Sequence, residues 1–287
     1  MIPTQFEYVA AKSLDEALSL LGKHKDDAKL LAGGHSLIPA MKLRLAQPQV
    51  LIDISRIKDL SYIREEKGQV RIGSMTTHYQ IESSDLLRRI CPLLPETATH
   101  LGDVQVRNKG TIGGSLAHSD PAADWPAAVL ALDAEIVVAG PKGERAIKAD
   151  KFFVDLLTTA LEQGEILREV RFNTPQGTVG QSYVKVRHPA SGFAVVGVAV
   201  NLSVNGGKCQ SAGVGITGVA PKAYRASGVE KALQGNALDA KTLSVAAAHA
   251  SDGVDANTDL FASGEYRRHL AEVYTRRALG TAVSRAK

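Results

Sequence analysis

Two glycine-rich turns carry residue types that can bind phosphate groups. The first is AGGHSL at residues 32–37, and the second is GTIGGSL at residues 110–116. Paired glycines let backbone N–H groups converge on one point, because no Cβ obstructs positive φ or close approach. Converging N–H groups form an anion-binding nest, to which Ser36, Thr111 and Ser115 add hydroxyl donors. One such turn alone is more often structural, but two of them favour a dinucleotide whose diphosphate is held from both sides.

Other motifs are weaker candidates for chemistry. The segment GVGITG at 213–218 matches the dinucleotide fingerprint in spelling, but it lies inside an apparent strand, and Pro221 follows where a helix should begin. The side chains of His118, Ser119 and Asp120 are adjacent in sequence and diverge, so they cannot form a hydrolase relay. The eight histidines show no metal-binding spacing. We therefore expect no catalytic residues and no metal site in this chain.

Cysteine content and charge exclude further classes of function. An iron–sulfur cluster needs about four thiolates, and Cys91 and Cys209 are the only cysteines, which also favours a reducing intracellular setting. The apolar run at 193–200 is too short to span a membrane, and the N-terminus lacks signal-peptide regions, so we expect an unprocessed cytoplasmic protein. The formal charge of +4 is spread along the chain, which argues against nucleic-acid binding.

The elements that must position the two turns are of mixed type in the first part of the chain. The 287 residues suggest about two domains. A capping-box pattern from Ser13 to Glu16 predicts a helix through Leu21. The stretch 97–126 lacks apolar periodicity and is predicted to be a functional loop. Further elements are predicted as strands at 28–31, 50–54, 69–73, 134–138 and 166–172, and as helices at 76–81 and 85–90.

The composition shifts near residue 175, where 174–177 is the best linker candidate. Beyond it, antiparallel strands are predicted at 183–187, 193–204 and 209–219, with Asn205-Gly206 as a hairpin turn. A final helix is predicted at 264–283, with one face formed by Tyr266, Leu270, Val273 and Tyr274. The basic groups of this helix, at 267–269 and 276–277, are expected to form a solvated face, with a subunit contact as the alternative.

The motifs and their order resemble the FAD-binding medium (flavoprotein) subunits of molybdenum hydroxylases. AGGHSL at 32–37 and KGTIGGSLAHSDPAAD at 109–124 look like the two FAD-binding motifs of that family. YVK at 183–185, SGFA at 191–194 and SGEYRRHL at 263–270 resemble further stretches of it. In length and in the spelling of both glycine motifs, the chain is most similar to the branch found in aerobic carbon monoxide dehydrogenases.

The resemblance implies an α+β fold of the vanillyl-alcohol-oxidase type. Two α/β FAD-binding subdomains would span 1–57 and 58–176, and a C-terminal domain with an antiparallel sheet and helices would span 177–287. Noncovalent FAD would lie between the subdomains, with its pyrophosphate cradled by residues 32–36 and 111–115. The implied cofactor-binding residues are Ala32, Gly33, Gly34, His35, Ser36, Leu37, Leu101, Thr111, Ile112, Gly113, Gly114, Ser115, Asp124, Ile166, Leu167, Lys185 and Phe193.

Several of these residues receive individual roles from the resemblance. Asp124 would hold the ribose or ribityl region, and Ile166 and Leu167 would line the adenine side. Lys185 would lie near the flavin ring, where a cation stabilises the anionic reduced form, and Phe193 would lie against the ring face. Many relatives have Asn at the position of Ser115, and some have Tyr at that of Phe193, so the contacts of these two residues differ from those relatives.

By the same resemblance, the chain would be an electron-transfer subunit without a substrate site of its own. The molybdenum cofactor would lie on a large partner subunit and two-iron clusters on a small one, in a dimer of heterotrimers. Electrons would pass from the molybdenum centre through the clusters to FAD, and then to an acceptor such as a quinone. The alternatives are a medium subunit acting in xanthine, nicotinate or aromatic acyl-CoA oxidation, a stand-alone FAD reductase, and a non-redox nucleotide-binding module. Contact of the complex with the inner face of the membrane stays open.

Overall fold

The N-terminal part of the chain forms a small parallel sheet in the computed structural model, which describes residues 1–286. The strands β1 (Glu7–Ala10), β2 (Ala28–Leu31) and β3 (Val50–Asp53) pair in the order β1-β3-β2. Helix α1 (Leu14–His24) begins where the Ser13 hydroxyl accepts a hydrogen bond from the Glu16 N–H, as predicted, and continues three residues beyond Leu21. A short helix, α2 (Leu37–Lys42), follows the first glycine turn. Strand β1 was not predicted.

A five-stranded antiparallel sheet occupies the middle of the chain. Its spatial order is β4-β5-β10-β6-β7, and strand β5 has the predicted bounds. A two-stranded hairpin, β8–β9, lies beside it. The strands are β4 (Ile63–Glu66), β5 (Gln69–Gly73), β6 (Glu135–Gly140), β7 (Gly143–Lys148), β8 (Phe153–Asp155), β9 (Thr158–Thr159) and β10 (Ile166–Asn173). The helices are α3 (His78–Glu82), α4 (Asp85–Ile90), α5 (Leu93–Thr99), α6 (Val104–Lys109), α7 (Ile112–His118), α8 (Asp124–Ala131) and α9 (Ala149–Phe152).

The stretch 97–126 is largely helical, so the prediction of a loop there was wrong. Helices α6 and α7 are short and begin at side-chain caps, Asp103 and Thr111. Helix α8 is buried along its whole length, so its sequence, DWPAAVLA, has no polar face to produce a helical period. Apolar periodicity detects half-buried helices, and it misses both very short helices and helices that are buried on every side.

The C-terminal part consists of an antiparallel sheet covered by helices. The strands pair in the order β11-β12-β13-β14, and residues 205–208 form the β12–β13 hairpin with Gly206 and Gly207 at positive φ. The hairpin was predicted, but its two turn residues are Gly206 and Gly207 and not Asn205 and Gly206, because Asn205 still pairs with Lys208. The elements are β11 (Thr178–Arg187), β12 (Ala194–Asn205), β13 (Lys208–Thr217), β14 (Tyr224–Arg225), α10 (Ser227–Leu233), α11 (Ala240–Ala247) and α12 (Gly264–Arg285).

The face on which α12 packs differs from the predicted one. Leu270 is buried, but Tyr266 is about half exposed, and Arg267, expected on a solvated face, is only 6 % exposed. The Arg267 guanidinium donates to the carbonyl oxygens of Val195 and Gly218, each at 2.7 Å, and to the Asp259 carboxylate. These bonds replace part of the water that a buried charge loses, while the Arg267 Nε has no hydrogen-bond partner among residues 1–286. Small residues such as Ala271, Ala278 and Ala282 form most of the rest of the buried face.

The GVGITG segment is structural, as predicted. Gly213 and Gly215 lie in β13, and a Cβ on either would overlap a carbonyl oxygen of α8, that of Ala131 or Ala127. The glycines therefore allow α8 to lie directly on the C-terminal sheet. Because α8 precedes β6 in the chain and belongs to the same apolar core, this contact joins the middle and C-terminal parts.

Each of the three larger sheets lies within one of the predicted stretches 1–57, 58–176 and 177–287, and those domain boundaries stay a prediction. The predicted linker, 174–177, connects β10 and β11. Among residues 1–286, no helix combines the length and the apolar character that crossing a bilayer requires. Both cysteines are buried and unpaired.

Candidate functional site

The first glycine turn presents a row of unbonded backbone amides. It connects β2 to α2, and Gly34 has φ +81°, which favours glycine. Within residues 1–286, the N–H groups of Gly33, Gly34, His35 and Ser36 have no protein acceptor. The four residues are half-buried or exposed, so that a ligand can reach them. Successive free amides at a turn form an anion-binding concavity suited to a phosphate.

The second turn has a different structure from the first. Its amides at residues 112–115 are all bonded within the protein: Ile112 N–H to Thr76 O, Gly113 N–H to Ser74 O, and those of Gly114 and Ser115 to Thr111, at 2.9–3.1 Å. The expected second set of free amides is therefore absent at these four positions. Of its hydroxyl groups, that of Thr111 accepts from the Gly114 N–H on a residue only 3 % exposed, while that of Ser115 lies on a half-buried residue.

The two turns lie directly against each other. A Cβ on Gly33 would overlap the carbonyl oxygen of Lys109 and would lie 2.8 Å from the Gly110 Cα. On the other side, the ideal Cβ position of Gly114 lies 3.6 Å from the Ala32 methyl carbon, an ordinary contact. The sequence predicted that these turns meet, and the structure brings them together. Glycine at residue 33 is a steric requirement of this contact.

A second group of predicted residues gathers around the start of α8. The Lys185 Nζ lies 2.9 Å from Asp124 Oδ2 and donates to the His100 carbonyl oxygen at 3.1 Å, while the Tyr183 hydroxyl donates to Asp124 Oδ1. Both charged side chains are at most 3 % exposed. Burial raises the pKa of Asp124 and lowers that of Lys185, and the attraction between the two charges opposes both shifts. Each Asp124 oxygen therefore already accepts one protein hydrogen bond.

The remaining predicted residues differ in accessibility. Leu101, next to His100, is partly buried against the large core, while Phe193 is about half exposed at the start of β12. Ile166 and Leu167 have buried side chains at the start of β10, in two different cores. His35 is exposed, and Leu37 is half-buried at the start of α2. Contact of these residues with FAD stays a prediction.

A cavity of about 660 Å³ opens beside the Lys185 group. It lies between the end of α5 and the second half of α12, and it includes no residue of either glycine turn. Its lining is mixed and includes His100, Tyr183, Lys185, Tyr274, Arg277 and Thr281. In residues 1–286, no three or more His, Cys, Asp or Glu side chains are grouped closely enough to hold a metal ion.

One pair beside the turns was missed by sequence reasoning. Trp125 is fully buried, and its Nε1–H donates to Nδ1 of His78 at 3.0 Å. His78 lies at the start of α3, just after Thr77, which caps that helix with Gln80 in a capping box. A buried indole usually needs an acceptor for its N–H. That requirement was the available signal, but it did not identify which residue would supply the acceptor.

Comparison with known proteins yields full-length matches. Residues 4–175 match the family model described as "FAD binding domain in molybdopterin dehydrogenase". Residues 181–282 match the model of the "CO dehydrogenase flavoprotein C-terminal domain".

Two carbon monoxide dehydrogenase medium chains are similar over essentially their whole length. That of Hydrogenophaga pseudoflava is 43 % identical, over 99 % of each chain, and that of Afipia carboxidovorans is 41 % identical, over 100 % of each. A solved structure of the Hydrogenophaga pseudoflava carbon monoxide dehydrogenase is also similar; it lacks the Mo-pyranopterin moiety of the molybdenum cofactor. One of its chains matches with a TM-score of 0.97 and 43 % sequence identity, and the match covers 100 % of both chains.

Proposed function

Because this chain belongs to the family of FAD-binding proteins of molybdopterin dehydrogenases, we propose that it is the FAD-carrying medium subunit of an aerobic carbon monoxide dehydrogenase. In this complex, CO and water are converted to CO₂ at a molybdenum centre on a large subunit. The electrons pass through two-iron clusters on a small subunit to FAD on this chain, and leave to an acceptor such as a quinone. The full-length similarity to two carbon monoxide dehydrogenase medium chains favours CO over other substrates.

The row of four unbonded amides at residues 33–36 carries the proposal. A FAD diphosphate carries about two negative charges, and an anion nest of this kind stabilises such charges with fixed N–H dipoles. The turn around Thr111 lies against the nest and adds the half-buried side chain of Ser115 to this part of the molecule. The residues present therefore fit a diphosphate-containing cofactor. When bound, FAD supplies the redox chemistry of this subunit.

The other residues position the cofactor from the nest towards α8. Asp124, with Leu101 nearby in the fold, borders the ribose or ribityl region, and Ile166 and Leu167 support the adenine side. Lys185 places a buried cation, held by Asp124, near the flavin ring. Phe193 is exposed enough to cover a ring face.

The assembly is a dimer of heterotrimers in the cytoplasm, where Cys91 and Cys209 stay reduced. The FAD-binding subdomains are 1–57 and 58–176, and the C-terminal domain is 177–287. The quinone acceptor brings the complex to the inner face of the membrane.

Co-expression with the large and small subunits tests the proposal. The purified complex is expected to show a flavin absorption spectrum, to release FAD on denaturation, to contain molybdenum and copper, and to reduce a redox dye in the presence of CO. The chain alone serves as the control, binding FAD without oxidising CO. A chain that stays colourless with added FAD contradicts the cofactor assignment. A complex that oxidises a purine or nicotinate and not CO contradicts the assignment of CO as the substrate.

A further inference from the structure

Four residues beneath the meeting point of the two glycine turns contact one another in series. The Trp125 indole donates to His78 at 3.0 Å. The His78 ring lies against Gly110, where a Cβ would come within 2.5 Å of His78 Nε2. Gly110 in turn lies against Gly33, the residue at which the free-amide row begins. A continuous line of contacts therefore runs from α8 to the predicted diphosphate site.

The indole fixes the protonation of the His78 ring. Indole Nε1 is only a donor, so Nδ1 of His78 must be an acceptor, and the single ring proton lies on Nε2. Burial, with smaller contributions from the charges of His35 and Arg107, lowers the pKa of His78 to about 3. The ring is therefore neutral at physiological pH, which keeps the Trp125 bond intact.

The backbone around His78 is tied to the second turn as well. The His78 N–H donates to Gly110 O at 3.0 Å, and Ile112 and Gly113 donate to Thr76 and Ser74. The segment 74–78 therefore supports residues 110–113 along their length. The His78 ring adds a side-chain contact with Gly110 to these backbone bonds.

We infer that His78, held by Trp125, is a positioning residue for FAD binding, which fixes the separation of the two glycine turns by supporting Gly110. This inference rests on the proposed function, since it assigns the turns to FAD. His78 acts through Gly110, and no contact between His78 and the cofactor is needed.

Three variants of the full chain test this role. His78→Asn keeps an acceptor near the position of Nδ1, His78→Leu removes it, and Trp125→Phe removes the donor. His269→Leu, on the exposed face of α12, is the matched control. For each, FAD affinity is measured by flavin fluorescence, and the unfolding temperature is measured without FAD.

We expect His78→Leu to weaken FAD binding at least tenfold, Trp125→Phe to weaken it about threefold or more, and His78→Asn and His269→Leu to stay within threefold of the unmodified chain. Equal losses in His78→Asn and His78→Leu, or unchanged affinity in His78→Leu, would overturn the inference. If His78→Leu does not fold, unchanged affinity in Trp125→Phe overturns it in the same way. Failure of the unmodified chain to bind FAD would instead contradict the proposed function.

Discussion

At the level of single residues, the contact between the two glycine turns is the most sensitive point of the site. Gly33→Ala places a methyl group where the Lys109 carbonyl oxygen lies, so the turns must move apart. We expect a loss of about 1–3 kcal/mol in the free energy of unfolding, as for other overpacked sites, together with at least a tenfold loss of FAD affinity. Urea unfolding and flavin titration measure the two effects.

Gly22→Ala is the control for this substitution. Gly22 is exposed in α1 and has no atoms near its ideal Cβ position. Alanine there should stabilise the chain by about 0.5–1 kcal/mol, because it removes the backbone entropy cost of glycine in a helix. If Gly33→Ala binds FAD as tightly as the unmodified chain, the contact between the two turns does not determine FAD affinity.

The pKa of His78 predicts a dependence of stability on pH. Its pKa of about 3 in the folded chain lies below the ordinary histidine value of 6.5, so the unfolded chain binds the extra proton between these pH values. The contribution of His78 is complete above about pH 6.5 and is lost as the pH falls towards 3. Between pH 7 and pH 5 we expect the chain to lose about 2 kcal/mol more than His78→Asn does. If the two proteins lose the same free energy of unfolding between pH 7 and pH 5, the pKa of His78 is not lowered in the folded chain.

The residues of the site were partly predictable from sequence. The meeting of residues 33 and 110–114 followed from two motifs of matching chemistry, and the structure confirms it. The use of the second turn's amides by Ser74 and Thr76 could not be predicted, because those acceptors come from a distant segment. His78 was missed for the same reason: its partner, Trp125, lies 47 residues along the chain.

At the level of elements, Arg267 attaches α12 to the C-terminal sheet. Arg267→Met leaves the Val195 and Gly218 carbonyl oxygens without their donor, and we expect a loss of about 3 kcal/mol in the free energy of unfolding. Arg268→Met, one residue along on the exposed face, should change it by less than about 0.5 kcal/mol. Thermal or urea unfolding measures the stability of both variants. If Arg267→Met and Arg268→Met lose similar free energies of unfolding, the buried bonds of Arg267 do not stabilise the chain more than an exposed arginine does.

A few elements were predicted with their observed bounds, while α3, predicted at 76–81, spans His78–Glu82. Strands β2 and β5 and helix α4 have the predicted bounds. Helix α7 was missed because Gly113 and Gly114 lower helix propensity, while Thr111 and the contact with Ser74 stabilise the helix from outside it. The predicted face of α12 was wrong because a charged residue, Arg267, is buried there and a tyrosine is not.

At the level of the whole molecule, the contact of α8 with β13 predicts that the parts unfold together. Trp125 is the only tryptophan and is buried in α8, so its fluorescence reports on this contact. We expect unfolding by urea followed by tryptophan fluorescence to coincide with that followed by far-ultraviolet circular dichroism. Separated midpoints would show that the C-terminal part unfolds independently.

Two neighbouring residues at the start of α8 form polar contacts with different parts of the molecule. Asp124 pairs with Lys185 in the C-terminal sheet, and Trp125 bonds to His78 beside the glycine turns. A hinge rotation between these regions would have to break at least one of the two bonds, the ion pair or the indole–imidazole bond, depending on which region α8 moves with, and both lie in surroundings that water does not reach. Helix α8 therefore couples the C-terminal sheet to the glycine turns, so a relative rotation of the two regions carries the free-energy cost of one buried polar contact.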